Sequence, residues 1–156
     1  MHRIEARARA RGFTLVEIMI VVAIIMVVAA IAVIQLGRAR ITMNEASALN
    51  SVRLVVKSCQ FYFMVRQAYP TALNGLGAPT SNPPYISDTS LLAGNKQGYQ
   101  FVYVPAAGPT PDTFTLRANP LSHGVTGTRH FMTTEALAIY ATTEDRDATT
   151  ADPLIP

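Results

Sequence analysis

The first part of the chain is dominated by one apolar run. Seventeen consecutive residues, Ile18 to Ile34, carry no polar side chain, and the run extends over residues 13–36 with Glu17 as its one charged residue. A hydrocarbon core about 30 Å thick is crossed by roughly 20 helical residues. The pattern therefore predicts a membrane-spanning helix and argues against a wholly soluble cytoplasmic enzyme.

The same helix is predicted to continue beyond the apolar run. No proline occurs before Pro70, and Gly37 is the only glycine between residues 13 and 74, so one helix is expected from about Phe13 to about Val65. In its second half, apolar residues recur at helical spacing: Ala48, Leu49, Val52, Val55, Val56, Cys59, Tyr62 and Phe63. Polar residues are expected on the opposite face: Asn44, Glu45, Asn50, Arg53, Lys57 and Gln60. This half predicts an amphipathic helix that packs on a domain along one side.

The C-terminal half predicts loops and short strands. Prolines and glycines are frequent between residues 70 and 84, where a loop is expected, with short turns at 71–76 and 90–93. From Gly98 the apolar residues alternate with a period of two, which predicts strands at 99–104, 114–118, 128–133 and 136–142. Residues 143–156 are expected to form a loose tail. The predicted fold class is α+β, with a long N-terminal helix packed on a small antiparallel sheet.

Composition and charge limit the classes of function that the chain can have. The chain is 49% hydrophobic and 15% charged, which excludes disorder as a description of the whole. The net charge of +3 comes entirely from residues 1–12, which hold four arginines and one glutamate, and the remainder is neutral. A basic leader before an apolar helix indicates that the leader lies in the cytoplasm. Arg38 and Arg40 lie just beyond the other end of the apolar run, and these positive charges weaken the indication. Nothing in this balance indicates a nucleic-acid surface.

Two features distinguish the apolar segment from an ordinary anchor. Glu17 lies near its start. A charged carboxylate within a membrane-spanning helix costs up to about 2.5–3.5 kcal/mol of insertion free energy, so Glu17 is a candidate functional residue. The basic leader meets the apolar helix at Gly12-Phe13.

At these residues the sequence resembles the type IV filament family, which comprises type IV pilins and the pseudopilins of type II secretion. The stretch from Gly12 to Val21 combines a cleavage glycine, an aromatic first mature residue, a glutamate five residues into the mature chain and an uninterrupted apolar helix. The resemblance implies that a prepilin peptidase cleaves between Gly12 and Phe13 and methylates the new amino group of Phe13. It also implies that Glu17 pairs with the Phe13 amino group of a neighbouring subunit and fixes the assembly register.

The resemblance further implies a domain organisation and a function. Residues 1–12 would be a cleaved leader, 13–36 the transmembrane and filament-core helix, 37–66 its amphipathic half, and 67–156 a globular loop and sheet region. The chain would be a structural subunit of a type IV pilus or type II secretion pseudopilus, without enzymatic activity. The family's secretion subunits can bind calcium in C-terminal loops, but from the residues of this chain no cofactor or metal is expected. Its partners would be further copies in a helical filament, the prepilin peptidase, the inner-membrane assembly platform and ATPase, and membrane lipid before assembly.

The implied location is the inner membrane, with a single span and a cytoplasmic N-terminus, followed by a periplasmic or extracellular filament. Two departures favour a pseudopilin-like or noncanonical pilin. Many major pilins carry a proline in the membrane half of the helix, where this chain has Ile34 and Gly37, and many close a C-terminal disulfide loop that the single Cys59 forbids.

Other candidate chemistry is weak. His123 and His130 are interpreted as surface histidines, because the chain has no Gly-x-Ser-x-Gly elbow for a serine hydrolase. Cys59 is interpreted as a small core residue. Four C-terminal carboxylates match no defined calcium loop and are interpreted as a solvated acidic tail: Glu144, Asp145, Asp147 and Asp152.

Two alternatives remain open. Ala30-Ile31-Ala32 fits a signal-peptidase site, whose cleavage would release a soluble domain beginning at Val33. The chain could instead be a single-pass, anchored binding domain that never polymerises. Both alternatives predict that Glu17→Leu leaves the protein functional.

Overall fold

The main helix confirms the sequence prediction. The structure, a computed structural model, describes residues 12–155, and most of the predicted leader lies outside these residues. Helix α1 covers Leu15–Arg66, within two residues of the predicted bounds at each end. The chain divides into two compact units, of which the first ends at Leu36 and the second begins at Gly37.

The described part of the first unit is a helix without an apolar partner. Every residue from 12 to 36 is exposed, including Phe13 at 79%, Met19 at 63% and Val33 at 71%. Within the described residues, α1 is the one helix long and apolar enough to cross a membrane, and its most apolar window has a mean hydropathy of 3.1. The first unit therefore presents apolar surface on all sides.

The second unit contains a short helix and a six-stranded sheet. One turn of 3₁₀ helix covers Leu73–Leu76, and α2 covers Thr89–Leu92. The strands are β1 Asn95–Lys96, β2 Tyr99–Pro105, β3 Phe114–Pro120, β4 His130–Thr134, β5 Ile139–Thr142 and β6 Leu154–Ile155. Each strand pairs antiparallel with the next along the chain. The α+β class is confirmed, and the first two predicted strands are present as the antiparallel pair β2 and β3.

The turn between β1 and β2 shows why glycine is needed there. Both central residues have positive φ, 44° at Gln97 and 76° at Gly98, as in the hairpin turns that match strand twist. A Cβ at Gly98 would lie 2.8 Å from the side chain of Thr126. This turn therefore allows the 121–129 loop, between β3 and β4, to approach the edge of the sheet.

The core of the second unit lies between α1 and one face of the sheet. In β2, Tyr99 and Phe101 are buried while Gln100 and Val102 are exposed, which confirms the predicted alternation. One buried cluster joins the predicted helix stripe to the strands: Ala48, Val52, Val55, Cys59, Tyr99, Phe101, Phe114, Leu116, Ala118, Phe131 and Ile139. Deleting a large side chain from such a core costs about 2–5 kcal/mol.

Two strands begin later than the sequence predicted. The fourth predicted strand, 136–142, begins only at Ile139, because Leu137 has a φ of 67° and lies in the preceding turn with 46% exposure. The third predicted strand, 128–133, begins at His130. Thr128 and Arg129 instead bond to Glu45.

The segment after β5 does not form the expected loose tail over the described residues 143–155. The guanidinium of Arg146 bonds to Glu144 and Asp152, with N–O distances of 2.6 Å to each. Ala148 is fully buried, and Leu154 and Ile155 add β6 to the sheet. Residues 143–147 are exposed, as the charged composition suggested, but Arg146 forms ion pairs with two of the acids across the segment.

Candidate functional site

The start of α1 is fixed by a side-chain cap. The backbone N–H of Glu17 donates to the hydroxyl of Thr14 at 3.2 Å, and the N–H of Ile18 donates to the Thr14 carbonyl at 3.3 Å. Thr14 is therefore the N-cap, and Glu17 occupies the third helical position, where an acidic side chain interacts favourably with the helix dipole. The Thr-x-x-Glu spacing before an apolar run is a capping signal that the sequence interpretation did not use.

The residues assigned to processing and to assembly register lie together at this end of the helix. Gly12 and Phe13 precede α1 and are exposed, and Glu17 faces solvent within the first turn. With Thr14 they line one shallow concavity. The peptide bond between Gly12 and Phe13 is thus outside regular structure and uncovered, as a peptidase substrate must be.

The surface next to this concavity is apolar. Phe13, Ile18, Met19, Val22 and Met26 line a groove along one side of the helix. No side chain among these five offers a nucleophile, a base or a strong metal ligand. The groove can bind lipid chains or the apolar side chains of another helix.

Glu45 was predicted to lie on the polar face of α1, but the structure buries it. It is only 8% exposed, and one carboxylate oxygen accepts from the Thr128 backbone at 2.9 Å and from the Thr128 hydroxyl at 2.6 Å. The other oxygen accepts from Nε of Arg129 at 2.9 Å. Asn44, one residue earlier, donates to the Thr126 carbonyl at 2.9 Å. These two polar residues therefore attach the 121–129 loop to α1.

The ionisation of Glu45 reflects two opposing effects. Burial raises the pKa of the carboxyl, but the hydrogen bonds from Thr128 and the charge and hydrogen bond of Arg129 together outweigh it. The pKa of Glu45 is therefore lowered, and the carboxylate form is the one that the fold stabilises.

The two histidines are brought together, and His130 is not the surface residue that the sequence suggested. His130 is 5% exposed, and its Nδ1 lies 3.1 Å from Oδ1 of Asn119. Its Nε2 lies 3.3 Å from Nδ1 of His123, and the rings are stacked. Asp145 lies beside both rings.

The other C-terminal carboxylates already have partners. Glu144 and Asp152 bond to Arg146, and the hydrogen bond from Arg146 is the main cause that lowers the pKa of Asp152. Asp147 accepts from the Asn119 amide at 2.6 Å. The side chains of Glu144, Asp145 and Asp147 are nevertheless 71%, 75% and 54% exposed, so these carboxylates are solvated, as the sequence suggested, and only that of Asp152 is covered, at 9%.

Cys59 lies in the core, as the sequence predicted. It is fully buried, and burial raises the pKa of its thiol to about 12. A thiol with this pKa is not a thiolate nucleophile at neutral pH.

Comparisons with known proteins point to one family. The family described as "Prokaryotic N-terminal methylation motif" matches residues 7–33. The chain is similar to the type IV major pilin protein PilA of Myxococcus xanthus, at 32% identity over 117 residues that cover 71% of this chain and 53% of that protein. The chain thus spans about half the length of this relative.

A second relative is matched over most of its length. The type II secretion system core protein G of Escherichia coli is 31% identical over 124 residues, which cover 77% of this chain and 79% of that protein. No solved structure matches the chain significantly. The matched motif, the relatives and the α+β fold agree, and the chain belongs to the family of type IV pilins and type II secretion pseudopilins.

Proposed function

We propose that this chain is a structural subunit of a type IV pilus or type II secretion pseudopilus and polymerises through residues 13–36. The observation that carries the proposal is the fully exposed apolar helix of the first unit, with the carboxylate of Glu17 in its first turn. Large apolar side chains gain about 1.5–3 kcal/mol each when fully buried. This apolar surface must therefore be shielded from water. Lipid shields it before assembly, and the helices of neighbouring subunits shield it afterwards.

Glu17 gives this apolar contact a specific register. Removal of residues 1–12 creates a new positive amino group at Phe13, and an amine or a carboxylate alone in an apolar bundle is costly. Pairing Glu17 of one subunit with the Phe13 amino group of its neighbour relieves both costs. Only one axial offset between helices brings the two groups together, so the pair selects that offset.

Processing and orientation follow from the N-terminal segment. We place the arginine-rich leader in the cytoplasm, where a prepilin peptidase cleaves after Gly12 and methylates the amino group of Phe13. The exposed, non-helical Gly12-Phe13 segment supports this role. The subunit then spans the inner membrane once, through residues 13–36, until an assembly platform and its ATPase move it into a periplasmic or extracellular filament.

The activity of the chain in this proposal is assembly and not catalysis. Residues 37–66 and 67–156 form the body that surrounds the filament core. The absence of a proline at Ile34 and the single Cys59 favour a pseudopilin-like subunit over a typical major pilin.

The test is to vary Glu17 in the native host and to measure filament yield and precursor processing separately. Glu17→Leu and Glu17→Gln should abolish filaments while the membrane-inserted subunit is still made and cleaved. The double variant Glu17→Val/Val21→Glu is the matched control, since it keeps the composition and moves the carboxylate one helical turn along the same face. It should also fail to assemble.

Wild-type filament yield from Glu17→Leu would contradict the role of Glu17 in assembly. Absence of any filament that contains the wild-type subunit would contradict the proposal itself and favour an anchored or exported domain. Assembly of the Val21→Glu double variant would show that a carboxylate anywhere on this face is sufficient. That result would contradict the role of Glu17 in setting the register.

A further inference from the structure

Two histidines and a carboxylate that are separated in the sequence converge beside the start of β4. Nδ1 of His123 lies 3.3 Å from Nε2 of His130. Oδ1 of Asp145 lies 3.9 Å from the first of these atoms and 3.8 Å from the second. His123 lies in the 121–129 loop, His130 begins β4, and Asp145 follows β5. Three separate segments therefore direct one donor atom each toward a common point.

The spacing of the three atoms suits a bound ion better than hydrogen bonds to the carboxylate. Separations of 3.8 Å and 3.9 Å are too long for a hydrogen bond between Asp145 and either ring. A point in the plane of the three atoms lies about 2.1 Å from each of them, and bonds from zinc to nitrogen or carboxylate oxygen are about 2.0–2.2 Å long. A zinc ion fits between the donors with little movement of the side chains.

A second set of contacts orients His130 for this role. The Asp147 carboxylate can only accept, so the Asn119 atom that lies 2.6 Å from it is the amide nitrogen. The Asn119 oxygen therefore faces Nδ1 of His130 at 3.1 Å and accepts a hydrogen bond from the N–H at that position. In this tautomer the lone pair of Nε2 accepts a hydrogen bond from Nδ1–H of His123 at 3.3 Å. A metal ion that replaces this proton would meet a histidine whose other nitrogen donates to an acceptor, as in other metal-binding histidines.

We propose that His123, His130 and Asp145 bind a zinc ion. Imidazole nitrogens favour zinc and its neighbours among the transition metals and do not suit calcium or magnesium. Three protein ligands leave the fourth tetrahedral position to water, and the 75% exposure of the Asp145 side chain keeps that side open to solvent. The ion joins the 121–129 loop and the segment after β5 to the sheet, and so stabilises the globular body independently of filament assembly.

The experiment is a zinc titration of the full chain in detergent micelles after chelator treatment. The protein carries His2→Ala, so that the leader histidine contributes no ligand, and has no polyhistidine tag. We expect one zinc ion per chain, a higher unfolding temperature with zinc, and a cobalt complex with the visible absorption of four-coordinate geometry. Excess calcium should not displace the zinc.

Three variants test the assignment of residues. His123→Ala and Asp145→Asn should each weaken zinc binding by at least about tenfold, and Asn119→Ala by about 10–100-fold through loss of the orienting bond. Asp112→Ala removes an exposed carboxylate outside the cluster and should leave the affinity unchanged. Near-ultraviolet circular dichroism checks that the variants are folded, and the exposed position of Asp145 makes its variant the one least able to disturb the fold.

Failure of the starting protein to bind one equivalent of zinc would overturn the proposal. Wild-type zinc affinity in both His123→Ala and Asp145→Asn would do the same, because the ion would then lie elsewhere. Displacement of the bound zinc by calcium would contradict the assignment of imidazole ligands.

Discussion

Glu45→Ala removes the carboxylate that joins α1 to the loop before β4. In the folded protein this carboxylate is 8% exposed and accepts hydrogen bonds from Thr128 and Arg129. The alanine variant leaves the Thr128 N–H and hydroxyl without their acceptor. It also leaves the Arg129 guanidinium without its counter-charge.

The expected loss of unfolding free energy follows from these contacts. A hydrogen bond to a charged group contributes about 1.5–3 kcal/mol, and breaking a fully buried ion pair costs about 3–5 kcal/mol. The Arg129 side chain is 38% exposed, so water replaces part of what it loses. We therefore expect Glu45→Ala to cost about 2–3 kcal/mol, below the value for a fully buried pair.

The assay is equilibrium unfolding of the full chain in detergent, followed by near-ultraviolet circular dichroism of the tyrosines, since the chain has no tryptophan. Asp112→Ala is the matched control, because it removes an exposed acid and should change stability by less than about 0.5 kcal/mol. A double-mutant cycle of Glu45→Ala with Arg129→Ala should show favourable coupling between the two side chains.

The pH dependence provides a second readout of the same residue. The pKa of Glu45 is lower in the folded than in the unfolded chain. The ionised carboxylate therefore contributes fully to the free energy of unfolding above the ordinary glutamate pKa. This contribution is lost as the pH falls through the lowered, folded-state pKa of Glu45. Glu45→Gln should therefore remove this part of the loss of stability at low pH. A change smaller than about 0.5 kcal/mol for Glu45→Ala, together with an unchanged acid dependence in Glu45→Gln, would refute the reasoning.

Three further predictions concern the globular body. Cys59, with its thiol pKa raised to about 12, should resist maleimide labelling in the folded protein and react on unfolding, as mass spectrometry would detect. Gly127→Ala should destabilise by about 1–3 kcal/mol in thermal unfolding, because the added Cβ would overlap the hydroxyl of Tyr99. Arg146→Gln should speed amide hydrogen exchange in residues 144–152 while the core strands keep their protection, because Asp152 loses its ion pair and keeps only the hydrogen bonds from Thr149.

Local sequence patterns predicted the parts of the fold that depend on local spacing. The long helix follows from the lack of proline before Pro70, and the buried stripe through Val52, Val55 and Cys59 follows from helical spacing. The alternation in β2 identified Tyr99 and Phe101 as core residues. In each case the residues that decide the outcome lie within a few positions of one another.

The features that the sequence did not predict depend on residues far apart in the chain. Helical spacing places Glu45 on the polar face, but its partners Thr128 and Arg129 reach it from the 121–129 loop. His130 is buried because Asn119 of β3 and His123 of that loop surround it. Periodicity describes one element at a time and cannot reveal contacts of this kind.

At the candidate assembly site the roles of Gly12, Phe13 and Glu17 stay predictions, made from their order along the chain and the family resemblance that this order carries. The structure adds the hydrogen bond from the Glu17 N–H to Thr14 at the start of α1. Their roles involve a peptidase and a neighbouring subunit. Those roles therefore depend on contacts that a single chain does not make.

The most direct test of the central claim is mass spectrometry of the N-terminal peptide of the protein recovered from its own host. The proposed pathway predicts a mature chain that begins at Phe13 with a methylated amino group, and predicts this form in the sheared filament or pseudopilus fraction. A chain that begins at Val33, or one that retains Met1 as its only form, would contradict assembly through the N-terminal helix. The first result would indicate an exported soluble domain, and the second a simple membrane anchor.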